Sequence, residues 1–224
     1  MKKNIPALLI ALGIVVLGWF IYSALNNLAY RDRQVQVRGL AEKEVMANKV
    51  TWPLVMKNLG NNLPQLYEQI NTTNAIAIKF LKENGISEDE ISVNEPVVFD
   101  KDAQRYGGND NSPYRYTVTE VITVTSSQVE KVNALIKRQA ELLKQGVALS
   151  NDYEYQTLYE YTGLNDIKPE MIAEATRNAR EAAKKFAEDS ESDLGKIKSA
   201  TQGQFSIEDR DAYTPYIKNV RVVT

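Results

Sequence analysis

Near its start the chain has a long apolar run, residues 5–25, in which no position is charged. At about 1.5 Å per residue in an α-helix, this run reaches roughly 32 Å, close to the hydrocarbon thickness of a bilayer. Trp19 and Tyr22 lie near its end, as aromatic residues at a membrane interface do. The pattern therefore predicts a single transmembrane helix that begins at Ile5 and ends at Leu25.

Met1-Lys2-Lys3 precedes this run and is similar to the charged beginning of a secretory signal peptide. The run exceeds the roughly 7–15 apolar residues of a signal peptide, and no small-x-small cleavage site follows it. An uncleaved anchor is therefore favoured over a cleaved signal. We predict a short cytoplasmic N-terminus over residues 1–4, a polar linker over residues 26–32 and one folded domain over residues 33–224.

The charges beside the predicted anchor do not orient it. Two lysines precede the run, and four basic residues follow it: Arg31, Arg33, Arg38 and Lys43. Long domains, however, cross the membrane largely regardless of such charges. We expect the N-terminus inside the cell and the domain outside the cytoplasm.

Beyond the anchor, alternation of apolar and polar positions predicts strands. Val35 and Val37 alternate with polar residues up to Gly39, and the even positions of residues 48–56 are apolar. Pro53 in that second strand indicates an edge or a bulge. Further strands are predicted over residues 91–99, 114–125, 147–161, 196–205 and 217–223.

A period of three to four residues predicts helices between these strands. One covers residues 63–81 and ends at Asn84-Gly85, and the next covers residues 129–143 and ends at Gly146. Pro169 suits the first turn of a third helix. The third helix has an apolar stripe formed by Ile172, Ala175, Ala179, Ala182 and Phe186. Strand–helix–strand units thus occur twice, and the fold class is α+β, a mostly antiparallel sheet with helices packed on it.

The composition excludes several classes of function. Lys and Arg total 27 against 29 acidic residues, so no general basic field attracts nucleic acid. The chain has no Cys and no His, which excludes disulfides, Ser-His-Asp and Cys-His catalysis, and the usual zinc ligands. No phosphate-binding glycine motif is present. We predict no catalytic residue, no cofactor and no metal, although a pair of carboxylates for hydrolysis is not excluded.

The four tyrosines of the predicted strand over residues 147–161 are the candidate interface: Tyr153, Tyr155, Tyr159 and Tyr161. On one continuous strand they would share a face, as a platform for sugars or peptides or, as we favour, as a surface covered by a helix or a neighbouring subunit. Asn109-Asp110-Asn111 and Asp209-Arg210-Asp211 offer oxygen ligands for calcium, but without the loop spacing of a dedicated site, so turns are favoured there.

Three segments resemble the SIMPL domain, a bacterial family of unknown function that includes periplasmic immunogenic proteins. Residues 35–42 (VQVRGLAE) are similar to its opening strand, V-x-V-x-G-x-G-x. Residues 114–119 (YRYTVT), followed by the helix near residues 129–145, resemble its Tyr-rich hairpin. Residues 172–187 (IAEATRNAREAAKKFA) are similar to its helix A-x-x-x-A-R-x-x-A-x-x-x-A.

The resemblance implies an extracytoplasmic sheet flanked by helices, ring-like or larger homo-oligomers, a loose link to oxidative or envelope stress, and no established enzymatic activity. Many relatives look secreted rather than anchored, and a longer final strand than residues 222–224 allow is expected from the family.

Together these features predict a membrane-anchored, non-catalytic structural or interaction module of the bacterial cell envelope. It would cross the inner membrane once, have its domain in the periplasm, and have the lipid bilayer and further copies of itself as partners, with no nucleic acid. An alternative is a ligand-binding envelope sensor that holds its ligand beneath the turn over residues 100–113. A hydrolase with paired carboxylates is the third possibility.

Overall fold

The computed structural model describes residues 5–30, 34–103 and 113–224. Its first element is helix α1, Ile5–Tyr30, which continues into the segment predicted to be a linker. Between residues 10 and 25, where its side chains are described, the large apolar ones are exposed.

Within the described part of the chain, no helix combines the length and the hydropathy that crossing a membrane requires.

The domain that follows alternates strands and helices. The described residues form four further helices: α2 Leu63–Glu83, α3 Val129–Arg138, α4 Ala140–Lys144 and α5 Leu164–Asp189. They also form nine strands: β1 Leu40–Met46, β2 Lys49–Gly60, β3 Ile91–Val93, β4 Val97–Asp100, β5 Tyr116–Ser126, β6 Leu149–Ser150, β7 Leu158–Glu160, β8 Phe205–Asp209 and β9 Ile217–Val223. The predicted α+β class and the antiparallel pairing are confirmed, but the strands divide between two sheets where the sequence indicates one.

The larger sheet is built around the antiparallel pair β2 and β5, which stay in register from Val50 opposite Ser126 to Gly60 opposite Tyr116. Strands β3 and β4 pair with the far edge of β5. On the far edge of β2, β7 pairs with residues 49–51 and β6 with residues 55–56. Pro53 lies between these two stretches, where no strand of the described residues pairs with that edge of β2. A proline, which has no N–H to donate, is tolerated at such a position.

Helices α2, α3 and α4 cover one face of this sheet. The even positions of β2, from Val50 to Met56, are buried there, as the alternation predicts. Helix α2 begins with a side-chain cap, since Oδ1 of Asn62 accepts from the N–H of Gln65 at 3.2 Å. It ends at the predicted Asn84-Gly85, where Gly85 has φ +81°, a conformation that favours glycine.

The smaller sheet has the strand order β1-β9-β8, and α5 packs on it. Its separate core contains Ala41, Met171, Ala175, Val220 and Val222. Several predicted boundaries are wrong here. The strand expected over residues 35–39 begins at Leu40, the strand expected from residue 196 begins at Phe205, and α5 begins at Leu164, so that Pro169 lies inside the helix.

Two of the segments that carry the family resemblance contact each other in this smaller unit. A methyl group added at Gly39 would lie 1.8 Å from the carbonyl oxygen of Ala175 and 2.5 Å from the amide nitrogen of Ala179. The backbone before β1 therefore lies directly against α5. Glycine in the first motif and small residues four apart in the helix motif make this approach possible.

Candidate functional site

The prediction of one continuous strand over residues 147–161 is wrong, since only two short strands, β6 and β7, form there. The tyrosines therefore do not share the face of a single strand. Residues 151–157 form a turn between β6 and β7, in which the N–H of Tyr155 donates to the carbonyl oxygen of Asp152 at 3.1 Å. Lys57 on β2 holds the same aspartate by an ion pair of 2.7 Å. Tyr153, at the tip, is 89% exposed. Asn and Asp are frequent turn formers, so residues 151–152 interrupt the alternation.

The last two tyrosines belong to two different cores. Tyr159 packs against the larger core, donates its hydroxyl to Asn133 and meets Tyr216 edge to face with ring centroids 6.2 Å apart. Tyr161 packs against the smaller core and donates its hydroxyl to the carbonyl oxygen of Gly163 at 3.0 Å. The four side chains therefore do not form one exposed surface, and the interface predicted from them stays a prediction.

The acidic residues considered for calcium are engaged in a turn. Asp209 pairs with Lys218, and Arg210 Nε donates to Asp211 at 3.0 Å. The other oxygen of Asp211 accepts from the N–H groups of Tyr213 and Thr214 at 2.8 and 2.7 Å. Hydrogen bonding by Thr214, above all, holds the pKa of Asp211 well below its usual range. The turn that the sequence favours here is thus observed.

The second calcium candidate, residues 109–111, lies outside the described residues. Among the residues that the structure does describe, no group of three or more Asp and Glu side chains is placed to hold a metal ion.

A polar cavity of about 310 Å³ lies where β2 passes into α2. Its lining combines four carboxamides, an aromatic ring and a small apolar floor. The lining residues are Leu59, Gly60, Asn61, Asn62, Gln65, Leu66, Gln69 and Tyr114. We call this the amide cavity. Tyr114 lies two residues before β5 and directly after the segment over residues 100–113, so the cavity lies beside the end of that segment.

An ion cluster at the base of that segment fixes the wall of the amide cavity. Arg115 places Nη2 at 2.8 Å from Oδ2 of Asp100 and Nε at 3.2 Å from Asp102. Its guanidinium also lies 4.9 Å from the ring centroid of Tyr116. Asn61 accepts from the N–H of Arg115 at 2.8 Å. These contacts tie the cavity wall to both β4 and β5.

Asp100 and Arg115 stabilise each other's charged forms. The Arg115 guanidinium holds the pKa of the Asp100 carboxyl below its usual range, and Asp100 in turn raises the pKa of Arg115. A carboxyl that acts as a general acid near neutral pH needs a raised pKa instead. Asp100 therefore forms a structural ion pair with Arg115, and this pair does not favour the hydrolase interpretation.

The sequence did not single out this cavity. Gln65 and Gln69 are four residues apart, and thus on one face of α2, which is the only signal that links two of its residues locally. Asn61 and Tyr114 meet them only because β2 pairs with β5 in a specific register, Gly60 opposite Tyr116. Local periodicity does not specify that register.

The comparisons with known proteins bear on the folded domain. No curated protein matches the chain. The family model SIMPL, described as a protein of unknown function (DUF541), matches residues 35–220, which include the amide cavity and every strand except the last three residues of β9. The match spans most of the 224 residues and confirms the resemblance carried by the three motifs. The chain belongs to the SIMPL family.

Proposed function

We propose that this SIMPL protein is a non-catalytic interaction module tethered to the extracytoplasmic face of the bacterial inner membrane. The observation that carries the proposal is α1, an uncharged apolar helix whose large side chains are exposed between residues 10 and 25. We include in this proposal the link to envelope stress that the family resemblance implies.

Exposed apolar side chains on every side of a helix are unfavourable in water. The consecutive residues 14–17 (Ile, Val, Val and Leu) project about 100° apart and so point to all sides of α1, and each is exposed. At about 25 cal/mol per Å² of apolar surface, such a helix gains substantial free energy by entering a bilayer. A helix that is apolar all round is typical of a membrane span or a deeply buried core element. The exposure of α1 supports the first of these.

The proposed side of the membrane is tested by two C-terminal fusions of the full chain. One reporter is active only outside the cytoplasm, and the other only inside it. We expect activity from the outside reporter alone, because the domain that follows α1 is long enough to cross regardless of flanking charge. Activity of the inside reporter alone would place the domain in the cytoplasm and refute this part of the proposal.

We also propose that tethered copies associate through strand β4. This strand pairs with β5 on one edge, and within the described residues its other edge has no partner strand. Val97, Val98 and Phe99 are exposed, so apolar side chains project from both faces of the strand. An exposed apolar edge strand is a template for pairing with another chain. Tethering raises the local concentration, so weak contacts suffice.

A second candidate function, a ligand-binding envelope sensor, is favoured by the amide cavity. Its volume lies at the lower end of the range typical of small-molecule sites. Its lining also includes Tyr114, the residue that follows the segment under which the sequence places a ligand. A thermal-shift screen of the full chain across metabolite classes tests this function, and stabilisation by one class is the expected result.

A further inference from the structure

We propose that the amide cavity binds a neutral, polyhydroxylated ligand of the saccharide class. This inference rests on the ligand-binding function given above as the second candidate, and it adds the chemical class and the contact residues. The described lining residues include no charged side chain. The side chain of Arg115, whose backbone N–H contacts Asn61 in the lining, is already paired with Asp100 and Asp102.

The absence of a counter-charge in the described lining selects against charged ligands. An ionised group that leaves water for a site without an opposite charge loses hydration that the site does not replace. A hydroxyl group, in contrast, needs only one acceptor and one donor. Each carboxamide offers both, with a C=O that accepts and an NH₂ that donates two hydrogens. The lining therefore offers the hydrogen-bond donors and acceptors that hydroxyl groups need, and, like them, it is uncharged.

Gln65 and Gln69 are the groups that we expect to contact the ligand. Both side chains are exposed, and no hydrogen bond within the described part of the chain uses either carboxamide. Residues four apart on a helix have Cβ atoms about 5–6 Å apart on the same face. Two carboxamides at that separation can reach neighbouring hydroxyl groups on one sugar ring.

Asn61 and Asn62 have a different role, because their carboxamide oxygens are engaged by the protein. Oδ1 of Asn61 accepts from the N–H of Arg115 at 2.8 Å, and Oδ1 of Asn62 caps α2 by accepting from Gln65. They fix the shape of the wall. A sugar ring also has apolar C–H faces, and the lining offers the exposed side chain of Leu59 to pack against them.

The test is a binding experiment on the full chain, solubilised in a detergent without a sugar headgroup so that the detergent does not compete. The probes are maltotriose, cellotriose and N-acetylated chitotriose, compared with glucuronate and glucosamine as charged relatives. Ligand-detected NMR and thermal shift report binding. We expect at least one neutral trisaccharide to bind and the charged monosaccharides to bind at least tenfold more weakly.

Two matched variants test whether the ligand binds in the amide cavity. The double variant Gln65→Leu/Gln69→Leu keeps side-chain size and helix propensity but removes both carboxamides, and we expect binding to fall at least tenfold. Gln139→Leu makes the same change beside Arg138, which contacts Asn84 at the opposite end of α2, and should leave binding unchanged. Saccharide binding that survives the double variant would overturn the assignment to this cavity.

The outcomes separate this inference from the function on which it rests. If no neutral saccharide binds but a charged or aromatic metabolite stabilises the chain in the wider screen, the saccharide class is wrong and the sensor function stands. If nothing in either set binds, both are refuted. Neither result affects the proposed tethering, which rests on α1.

Discussion

Glu120 is a carboxyl buried in the middle of the larger sheet. It is 1% exposed, and its Oε1 accepts a hydrogen bond of 3.2 Å from Nδ2 of Asn74 on α2. Oε2 of Glu120 and Oδ1 of Asn74 are both buried without a partner. On β5 the pair lies between Val118, in a small apolar cluster, and Ile122, in the main core. A polar pair thus separates two apolar clusters.

A single proton would satisfy both unpaired atoms. If Glu120 is neutral, its O–H can donate to Oδ1 of Asn74 while its other oxygen keeps the bond from Nδ2. Burial raises the pKa of the Glu120 carboxyl, and the hydrogen bond from Asn74 opposes this shift without cancelling it. Geometry and burial therefore both favour the protonated acid in the folded domain.

We predict that Glu120→Gln removes a pH dependence of stability. The folded-state pKa of Glu120 lies above its unfolded value of about 4.3, so its contribution to stability is lost as the pH rises from that value to the folded pKa. Glutamine keeps both hydrogen bonds without titrating. The stability of the variant should therefore increase relative to that of the wild type as the pH rises from 4.5 to 8.

Urea unfolding of the full chain, followed by the fluorescence of the buried Trp52, measures this difference. Glu68→Gln changes an exposed glutamate on α2, the helix that carries Asn74, and serves as the control. A constant difference between Glu120→Gln and wild type at the two pH values would show that the pKa of Glu120 is not raised in the folded domain, contrary to this prediction.

Gly39 gives a second prediction at the scale of one residue. Its missing side chain lets the backbone before β1 touch α5, and alanine there would clash with backbone atoms of Ala175 and Ala179. To remove this clash, the segment before β1 and helix α5 must move apart. That movement also strains the two backbone hydrogen bonds between Gly39 and Thr224, which are 3.0 and 2.9 Å long. Gly39→Ala should destabilise the domain by about 1–3 kcal/mol.

Gly195→Ala is the matched control for that change, because a methyl group at Gly195 meets no atom within 4 Å. Thermal unfolding of the two variants side by side measures the difference. Equal melting temperatures would mean that the contact between the opening segment and α5 contributes nothing to stability.

At the scale of the element, the sequence predicts the long regular pieces and misses the short ones. Strands β2 and β5 and helix α2 follow their periodicity because each buries one face over many residues. The tyrosine alternation over residues 147–161 has the same period but is interrupted by Asn151-Asp152. The resulting strands have two and three residues, too few for a pattern to distinguish from a turn.

At the same scale, we predict that a charge on strand β4 weakens the association of copies. Val97 is 63% exposed, and a lysine on an edge strand opposes edge-to-edge pairing by charge and by hydration. Val97→Lys should leave the fold intact and shift the full chain in detergent towards the monomer. Light scattering coupled to size exclusion, with the detergent contribution subtracted, gives the mass.

Two lysine variants serve as comparisons for that experiment. Tyr213→Lys makes a similar change at an exposed position in the turn before β9 and should not alter the mass. Tyr153→Lys probes the interface that the sequence suggests. If Tyr153→Lys dissociates the assembly and Val97→Lys does not, copies meet at the tyrosine turn and the role given to β4 is wrong.

At the scale of the whole molecule, local sequence patterns do not predict that the strands divide into two sheets. Strand β1 follows α1 closely, yet it pairs with β9, the last strand of the chain. This pairing joins residues as far apart as Leu40 and Val223. The candidate cavity depends on the same kind of long-range pairing. The predicted anchor needs none, because twenty-one uncharged residues form one local pattern in residues 5–25.

Alkaline carbonate extraction of cell membranes that contain the full chain tests the tether most directly. We predict that the protein stays in the membrane pellet, because a bilayer-spanning helix resists removal of peripheral proteins. The variant Ile14→Asp/Leu17→Asp should be released, since a charge at the bilayer centre costs about 2.5–3.5 kcal/mol each on the insertion scale. Wild-type protein recovered in the soluble fraction would contradict the account.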